Sequence, residues 1–178
     1  MREVKFQELQ MNPNTLIANE WMLVTAGNEE RGYNTMTASW GHLGSIWGHN
    51  GGLPTAIAYL RPQRYTDEFV NREDYFTLTF FPQTYKKALG YLGTRSGRDT
   101  DKFQELGLTP EEPEVISTPG IRQLPLTLEC KVIYRQQQEP ACVLDSHIYT
   151  HYQHPCPNIE QDYHTVYYGQ ILSAYIIE

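Results

Sequence analysis

Six segments of the chain carry the apolar, β-branched and aromatic residues that are typical of β-strands, several of them in alternation with polar residues. They span residues 20–27, 32–41, 55–61, 75–81, 126–137 and 163–178. Because Gly27 and Asn28 favour a turn between the first two segments, these are predicted to form a hairpin. Gly169 interrupts the last segment, which predicts a bulge or a close backbone approach there.

Helical spacing is confined to short stretches. Three short helices are predicted at residues 65–74, 83–94 and 99–107, with Thr66 as the N-cap of the first. The glycine-rich segment 44–54 is predicted to be a loop, and segment 108–125, which contains four prolines, a surface connection. Segment 138–162 shows no clear pattern, and we treat it as an insert.

Many strands with few helices predict a mostly β protein, built as a closed or partly closed antiparallel barrel. The length of 178 residues predicts a single domain spanning 1–178. No apolar run reaches the roughly 18–20 residues that span a bilayer, so no membrane segment is expected. The N-terminal residues include no apolar stretch typical of a signal peptide.

The formal net charge of −7 argues against nucleic-acid binding, which depends on a basic face. Three cysteines are too few for a disulfide framework, so a cytoplasmic protein with reduced thiols is expected. The charge is nevertheless uneven. Residues 61–102 hold eight Lys/Arg against six Asp/Glu, which predicts a local site for a small anion in an otherwise acidic chain.

Two parts of this basic segment have the side chains that bind a phosphate. Arg61, Arg64 and Thr66 surround the start of the first predicted helix, whose free N–H groups favour an anion. The second part, "RSGRDTDK", supplies Ser96, Gly97, Arg98 and Lys102. The alternative is a set of ordinary surface salt bridges with Asp67, Asp99 and Asp101 as partners, and the sequence leaves both interpretations open.

The segment "NTMTASWG" (34–41) alternates small and hydroxyl residues with Met36 and Trp40. Such a strand can run close to a flat ligand and offer it backbone N–H groups and the hydroxyls of Thr37 and Ser39. The alternative is a plain barrel strand with Trp40 in the core.

Other kinds of chemistry find less support. His147, His151, His154 and Cys156 have metal-ligand side chains, but their stretch is predicted to be non-helical and contains no CxxC or HExxH, so packing or solvent-facing roles are favoured. No GxSxG or GxGxxG is present, and Cys130 lies mid-strand. We therefore assign no metal site and no catalytic residue.

Three stretches taken together resemble the flavoredoxin and flavin reductase-like family, whose members have an antiparallel, Greek-key, FMN-binding split barrel. The stretches are "NTMTASWG" (34–41), "LRPQRYT" (60–66) and "SGRDTDKFQELGLTP" (96–110), in the family's order. "LECKVIY" (128–134) and "YHTVYYGQI" (163–171) resemble the last two core strands of that family.

The resemblance implies that the anion is the phosphate of FMN. Arg61, Arg64, Tyr65 and Thr66 would lie along the phosphate and ribityl chain, and Ser96, Gly97, Arg98 and Lys102 would close around the same end. Asn34, Met36, Thr37, Ala38, Ser39 and Trp40 would line the isoalloxazine ring. The resemblance also implies a homodimer that passes electrons from NAD(P)H or a redox protein through FMN.

Some features depart from the family or remain open. Thr79 stands near a position where the family often has asparagine, in the strand before Pro82. Trp47 and His49 are in a loop that could face the ring, and the tyrosines of insert 138–162 could cover it. The alternatives to a reductase are an FMN-binding electron carrier without NAD(P)H oxidation, and an interaction module without cofactor. The related barrels that oxidise pyridoxamine phosphate match less well.

Overall fold

The computed structural model describes residues 1–49, 51–81, 86–153, 155 and 161–177. The strands are β1 Arg2–Glu3, β2 Met22–Asn28, β3 Gly32–Ala38, β4 Gly41–Ile46, β5 Leu53–Leu60, β6 Tyr75–Phe80, β7 Pro110–Glu111, β8 Gly120–Ile121, β9 Leu126–Gln137 and β10 Thr165–Ile176. The α-helices are α1 Tyr65–Glu73, α2 Lys86–Thr94, α3 Lys102–Leu106 and α4 Ser146–Gln153. Short 3₁₀ turns span Phe6–Glu8 and Pro140–Cys142, and a π-helical turn spans Thr15–Asn19.

Eight of the strands form one antiparallel sheet in the order β3-β2-β6-β9-β10-β5-β4, with β1 added to β10. The two strands at the ends of this order, β3 and β4, follow each other in the chain and are joined by Ser39 and Trp40. The prediction of a mostly β, antiparallel fold with a few short helices is confirmed. Within the described part of the chain, no helix is long and apolar enough to cross a membrane.

The main core lies inside this sheet, and a second cluster covers part of its outer face. Val24 and Leu78 belong to the inner core, whereas Leu23 packs outward against Leu89 and Leu124. Strand β2 is therefore buried on both faces along most of its length. Strand β3 stands at one end of the sheet order and packs against helices α1 and α2, which is where the candidate site lies.

The prediction that 108–125 is only a surface connection is wrong. The segment forms the two-stranded sheet β7–β8, in which Pro110 pairs with Ile121, and Ile121 and Leu124 are fully buried. The Thr77 hydroxyl of β6 donates to the carbonyl of Pro119 at 2.9 Å, which holds the segment against the barrel. The segment therefore forms a layer that covers the barrel, because its apolar side chains need burial whether or not the backbone is regular.

The predicted loop 44–54 is also corrected. Its first residues belong to β4, in which Ser45 pairs with Pro54 and Ile46 with Leu53 of β5. Glycines lower β propensity but keep both backbone hydrogen-bonding groups, so pairing with a neighbouring strand outweighs the propensity. Position 41 requires glycine, since a Cβ there would lie 2.6 Å from the carbonyl oxygen of Ile57.

The three predicted helices are confirmed, the first and third with shorter bounds than predicted. Helix α1 begins at Tyr65, but Thr66 is not its N-cap: Arg64 occupies that position, and Thr66 is buried in the first turn. Helix α3 begins at Lys102 because the Asp101 carboxylate accepts hydrogen bonds from two backbone N–H groups of the first turn, and it ends at Gly107 with φ +62. Residues 82–85, which include Pro82 and the predicted start of the second helix, lie outside the described residues.

The two long strands β9 and β10 match their predictions closely. The register between them shifts at Tyr168 and Gly169, so the predicted irregularity at Gly169 is confirmed. A Cβ on Gly169 would lie 2.5 Å from the Cζ atom of Phe76 and 2.8 Å from the Cβ atom of Cys130. The glycine therefore lets β10 pass close to the core side chains of β6 and β9.

The insert 138–162 contains regular structure that the sequence interpretation missed. Helix α4 includes His147 and His151, so the prediction of a non-helical stretch is wrong. The Asp145 carboxylate starts this helix by accepting hydrogen bonds from the N–H groups of His147 and Ile148, each at 2.9 Å. His154 and Cys156 lie outside the described residues.

Candidate functional site

All fourteen residues predicted to bind a cofactor line one or both of two adjoining cavities. The basic cavity, about 170 Å³ in volume, is lined by Asn34, Met36, Gln63, Arg64, Tyr65, Thr66, Arg95, Ser96, Gly97, Arg98 and Lys102. The aromatic cavity, about 220 Å³ in volume, is lined by Met36, Thr37, Ala38, Ser39, Trp40, Tyr59, Arg61, Arg64 and His164. Met36 and Arg64 line both, so the two cavities meet at these side chains.

The basic cavity is built where strand β3, helix α1 and the loop before α3 meet. The Asn34 amide of β3 donates to the Thr66 hydroxyl of α1 at 2.7 Å. Gly97 packs against the same asparagine so closely that a Cβ there would lie 1.9 Å from Asn34 Oδ1. The Arg98 guanidinium lies over the Tyr65 ring, 4.9 Å from its centre. These contacts join two segments that are separate in the chain into one wall.

Lys102 is the most unusual charged group in the basic cavity. Its side chain is only 5% exposed, and its ammonium donates to the carbonyl of Thr35 at 2.9 Å. Burial, followed by the nearby charge of Arg64, lowers the pKa of Lys102 to about 8. It forms no ion pair with any described residue. A buried ammonium without a carboxylate partner is costly, which indicates that the cavity is built to receive an anion.

Arg64 lies between the two cavities, and it too forms no ion pair with a described carboxylate. Its Nη1 atom donates to the carbonyl of Gly93 at 3.0 Å, which fixes the guanidinium against helix α2. Burial is the main cause that lowers the pKa of Arg64, and the charge of Arg61 is the next. Two cations that repel each other therefore converge at the point where the cavities meet, because Arg64 also lowers the pKa of Lys102.

Arg61 and Arg98 are balanced by carboxylates, as a salt-bridge interpretation requires, but not by the predicted ones. Arg61 Nη2 lies 2.7 Å from an Asp162 oxygen, and Asp162 is 5% exposed. Arg98 pairs with Glu68 and donates to the carbonyl of Gln63. Among the described cations that line the two cavities, Arg64, Arg95 and Lys102 therefore form no ion pair, and of these Arg95 is exposed whereas Lys102 is buried.

The aromatic cavity has a wall that contains three aromatic rings, those of Trp40, Tyr59 and His164. Trp40 is 39% exposed, so it is not the core residue that the simpler interpretation proposed. Its ring stacks on His164, with centres 4.6 Å apart and planes inclined by 30°. Tyr59 and Tyr152 meet Trp40 edge-on at 6.4 and 5.5 Å. Tyr152 belongs to the insert, so that segment packs against the Trp40 ring that lines the cavity.

The model of the flavin reductase like domain family matches residues 15–178 of the chain. The chain belongs to this family. Membership of this family supports a flavin-related function. The resemblance found in the sequence is thereby confirmed. No curated protein sequence matches the chain.

Comparison with solved structures shows the fold. The chain is similar to flavoredoxin of Desulfovibrio vulgaris (Miyazaki F), with 25% identity, a TM-score of 0.65, and coverage of 89% of this chain and 69% of that chain. It is similar to the FMN-binding domain of a flavin reductases-like enzyme from Shewanella baltica OS155, with 15% identity, a TM-score of 0.64, and coverage of 98% and 76%. A split-barrel domain protein of the flavin reductase kind from Shewanella frigidimarina NCIMB 400 has 16% identity, a TM-score of 0.62, and coverage of 96% and 76%. The split-barrel fold is therefore confirmed.

The sequence analysis did not predict several residues that line the two cavities. Tyr59, Gln63, Arg95 and His164 line the cavities without having been predicted. His164 is the one that a strand pairing could have indicated. It comes directly before Thr165, which pairs with Leu60, the residue before Arg61. Burial is the main cause that lowers the pKa of His164, so the neutral ring is favoured beside the two arginines.

Other candidate residues lie elsewhere. Thr79 is fully buried in β6 opposite Leu23 and Thr127, and its hydroxyl has no partner among the described residues. Trp47 packs edge-on against Tyr134, with ring centres 5.9 Å apart, and neither it nor His49 is among the residues that line the two cavities. Within the described ranges, no group of three His, Cys, Asp or Glu side chains could hold a metal ion.

Proposed function

We propose that this family member binds FMN in the two adjoining cavities and transfers electrons in the manner of a flavin reductase or flavoredoxin. The observation that carries the proposal is the meeting of the cavities at Met36 and Arg64, with positive charge that forms no ion pair at one end and aromatic rings at the other. A flavin mononucleotide has the matching shape: one phosphate joined by a flexible chain to one planar ring system.

At the basic end, the side chains present fit a phosphate. Lys102 and Arg64 form no ion pair with a described carboxylate, although the charge of Asp162 acts on Arg64 from a distance. The Ser96 hydroxyl can donate, and Gly97 allows the backbone to approach a ligand. Ser96 also accepts a hydrogen bond from the Arg98 N–H group at 3.2 Å, so this short loop is held in place before any ligand arrives. A dianionic phosphate would offset the cost of burying Lys102, which is why this end is assigned to it.

At the aromatic end, strand β3 and the rings would hold the isoalloxazine. The Thr37 hydroxyl donates to the carbonyl of Leu89 at 2.7 Å, so it anchors helix α2 and leaves the backbone N–H groups near Ser39 as the polar contacts for the ring. Trp40 and His164 would exclude water from one side. A bound flavin supplies the redox chemistry, and the protein supplies binding, orientation and electrostatics, so no protein acid or base is assigned.

The absorbance spectrum of the purified protein tests the proposal. We expect a yellow protein, or one that becomes yellow on addition of FMN, whose visible absorbance bleaches with dithionite. Rapid mixing with NADH and with NADPH then separates the two modes, since bleaching within seconds indicates a reductase and its absence indicates a carrier supplied by a redox protein. Colourless protein that fails to bind added FMN would contradict the proposal and favour an interaction module.

The affinity for FMN is expected to fall as the pH rises through about 8, the pKa of Lys102. The second phosphate pKa is near 6, so the phosphate is already dianionic there, and binding must recharge the ammonium. One proton gives a slope of up to about tenfold per pH unit. The stability of the flavin-free protein should depend on pH in the opposite direction, because its folded state binds the Lys102 proton less tightly than the unfolded state. The contribution of Lys102 to stability is therefore present above the usual pKa of 10.5 and lost as the pH falls through about 8.

Titrations of FMN between pH 7 and 10, followed by flavin fluorescence, measure this dependence. Riboflavin, which lacks the phosphate, is the matched control ligand and should show little slope. The Lys102→Met variant should lose the slope for FMN as well. A slope that persists in that variant would assign the titrating group to another residue.

A further inference from the structure

Residues 112–119 connect the short strands β7 and β8 and lie across β6 and β9 on the outer face of the barrel; we call them the strap. The Glu129 carboxylate of β9 accepts hydrogen bonds from the N–H groups of Glu114 and Val115 at 2.6 and 2.8 Å. The bond to the Pro119 carbonyl holds the other end of the strap to β6. Strands β7 and β8 pair over two residues each, whereas β9 and β10 pair along most of their length. The strap is therefore attached less extensively than the barrel strands.

Hydroxyl groups lie within and beneath the strap without a full hydrogen bond. A Cβ on Gly120, which follows the strap, would lie 2.1 Å from the Tyr175 hydroxyl oxygen and 3.2 Å from Thr127 Oγ1. The chain therefore passes directly over both hydroxyls. These two groups and the Thr118 hydroxyl are buried, and they make no full hydrogen bond within the described part of the chain. Burying such hydroxyls is a cost of the closed strap that water removes when the strap lifts.

The Glu129 carboxylate adds a second cost to the closed strap. The residue is fully buried, and burial is the main cause that raises the pKa of Glu129. The charge of Glu114 also raises this pKa, whereas the hydrogen bonds from the strap oppose the rise. The strap thus offsets only part of the cost of covering a charged group. The closed strap is therefore less stable than the barrel beneath it, which favours local opening.

Both the strap and the segment after it are joined to helix α3, which carries Lys102. The Gln123 side chain donates to the carbonyl of Gly107, the residue that ends this helix, at 3.1 Å. Ile121, two residues after the strap, belongs to the same buried cluster as Phe103, the residue after Lys102. The strap and the basic cavity are therefore connected through one short helix.

We propose that the strap opens and closes while the barrel stays folded, and that its closed state holds Lys102 in the position that receives a phosphate. Opening hydrates the buried hydroxyls and the Glu129 carboxylate, and closure buries Ile116. The opening is independent of the proposed function, whereas its effect on the phosphate end rests on it. A ligand that bonds to Lys102 must favour the closed strap, because coupling between two sites is reciprocal.

Hydrogen exchange of the Glu114 and Val115 amides, followed by NMR at neutral pH in the flavin-free protein, measures the opening. Both amides are expected to exchange at least about a hundredfold faster than the amides of β9, because a local opening exposes them without global unfolding. Exchange of the strap amides at the same rate as those of β9 would mean that the strap opens only when the whole barrel unfolds, and would overturn the proposal.

Two variants act on the closed strap in opposite directions. Glu129→Gln removes one of the two acceptor oxygens and should speed exchange at Glu114 and Val115 at least about fivefold. Thr127→Val removes a buried hydroxyl at nearly constant shape and should slow this exchange at least about threefold. The matched control is Thr150→Val, at an exposed threonine of α4, which should leave it unchanged. The proposal fails if Glu129→Gln has no effect, or if exchange in Thr127→Val is no slower.

The same measurement with FMN at saturation keeps this proposal apart from the proposed function. FMN should slow exchange of the strap amides at least about fivefold, and riboflavin, which lacks the phosphate, should slow it less. Bound FMN that leaves the strap amides unchanged would overturn the coupling to Lys102 and leave FMN binding standing. A protein that binds no FMN but shows the expected exchange would remove the proposed function and leave the opening of the strap standing.

Discussion

Replacing Lys102 and Arg64 together by methionine is expected to weaken FMN binding by at least about a hundredfold and riboflavin binding by less than about threefold. Hydrogen bonds to charged groups contribute about 1.5–3 kcal/mol each, and each 1.4 kcal/mol is a factor of ten. Both side chains line the basic cavity, and neither has a carboxylate partner within the described residues. Methionine retains an apolar stem of similar length, so the loss reports on charge more than on packing.

The matched control is Arg72→Met, which removes an arginine that pairs with Glu73 and lies over the Phe69 ring, away from both cavities. It should leave both affinities unchanged. Arg61→Met should have an intermediate effect on FMN, because Asp162 already balances part of its charge. Equal losses for FMN and riboflavin in the double variant would show that Lys102 and Arg64 do not contact the phosphate.

The substitution Tyr167→Phe is expected to lower the free energy of unfolding by about 1.5–3 kcal/mol at neutral pH. The Tyr167 hydroxyl donates to an oxygen of Asp67 at 2.7 Å, and Asn71 donates to the other oxygen at 2.9 Å. Tyr167 is fully buried and Asp67 nearly so. Removing the hydroxyl leaves a buried carboxylate oxygen without its strongest partner, at the first turn of the helix that also carries Thr66.

The loss should depend on pH in a direction set by Asp67. Burial is the main cause that raises the pKa of Asp67, and the bond from Tyr167 opposes this rise. Without that bond the pKa rises further, so the variant loses most stability above the folded pKa, where the carboxylate is charged, and least in acid.

Urea unfolding measures the change, and Tyr175→Phe is a closely matched control. Tyr175 is equally buried in the same strand, and its hydroxyl has beside it only the neutral Thr127 hydroxyl, in a geometry too poor for a full hydrogen bond. Its loss should therefore change the free energy of unfolding by less than about 0.5 kcal/mol or raise it. Similar losses in both variants would mean that the Asp67 bond contributes nothing beyond the general effect of removing a buried hydroxyl.

Polar residues on the outer face of the sheet show a limit of the alternation between apolar and polar positions along a strand. Glu129 of β9 lies opposite Thr77 and Ser173, and all three are buried although their pattern is that of a solvent-facing row. The N–H groups of Glu114 and Val115 donate to the Glu129 carboxylate at 2.6 and 2.8 Å. The covering segment thus supplies backbone partners to the polar face, so alternation identified two faces but not which of them faced water.

The sequence by itself determined the six strands β2, β3, β5, β6, β9 and β10, since a two-residue period needs only neighbouring residues to be recognised, but it missed β4, β7 and β8. It also determined the basic segment 61–102 and, through the order of its motifs, the family. Only the tertiary structure decided which cations keep an unbalanced charge. Asp162 lies 101 residues from Arg61 in the chain yet forms an ion pair with it, whereas no described carboxylate pairs with Lys102. Such pairing depends on which distant segments the sheet brings together, because a charge is balanced by what lies within a few ångströms and not by its neighbours in sequence.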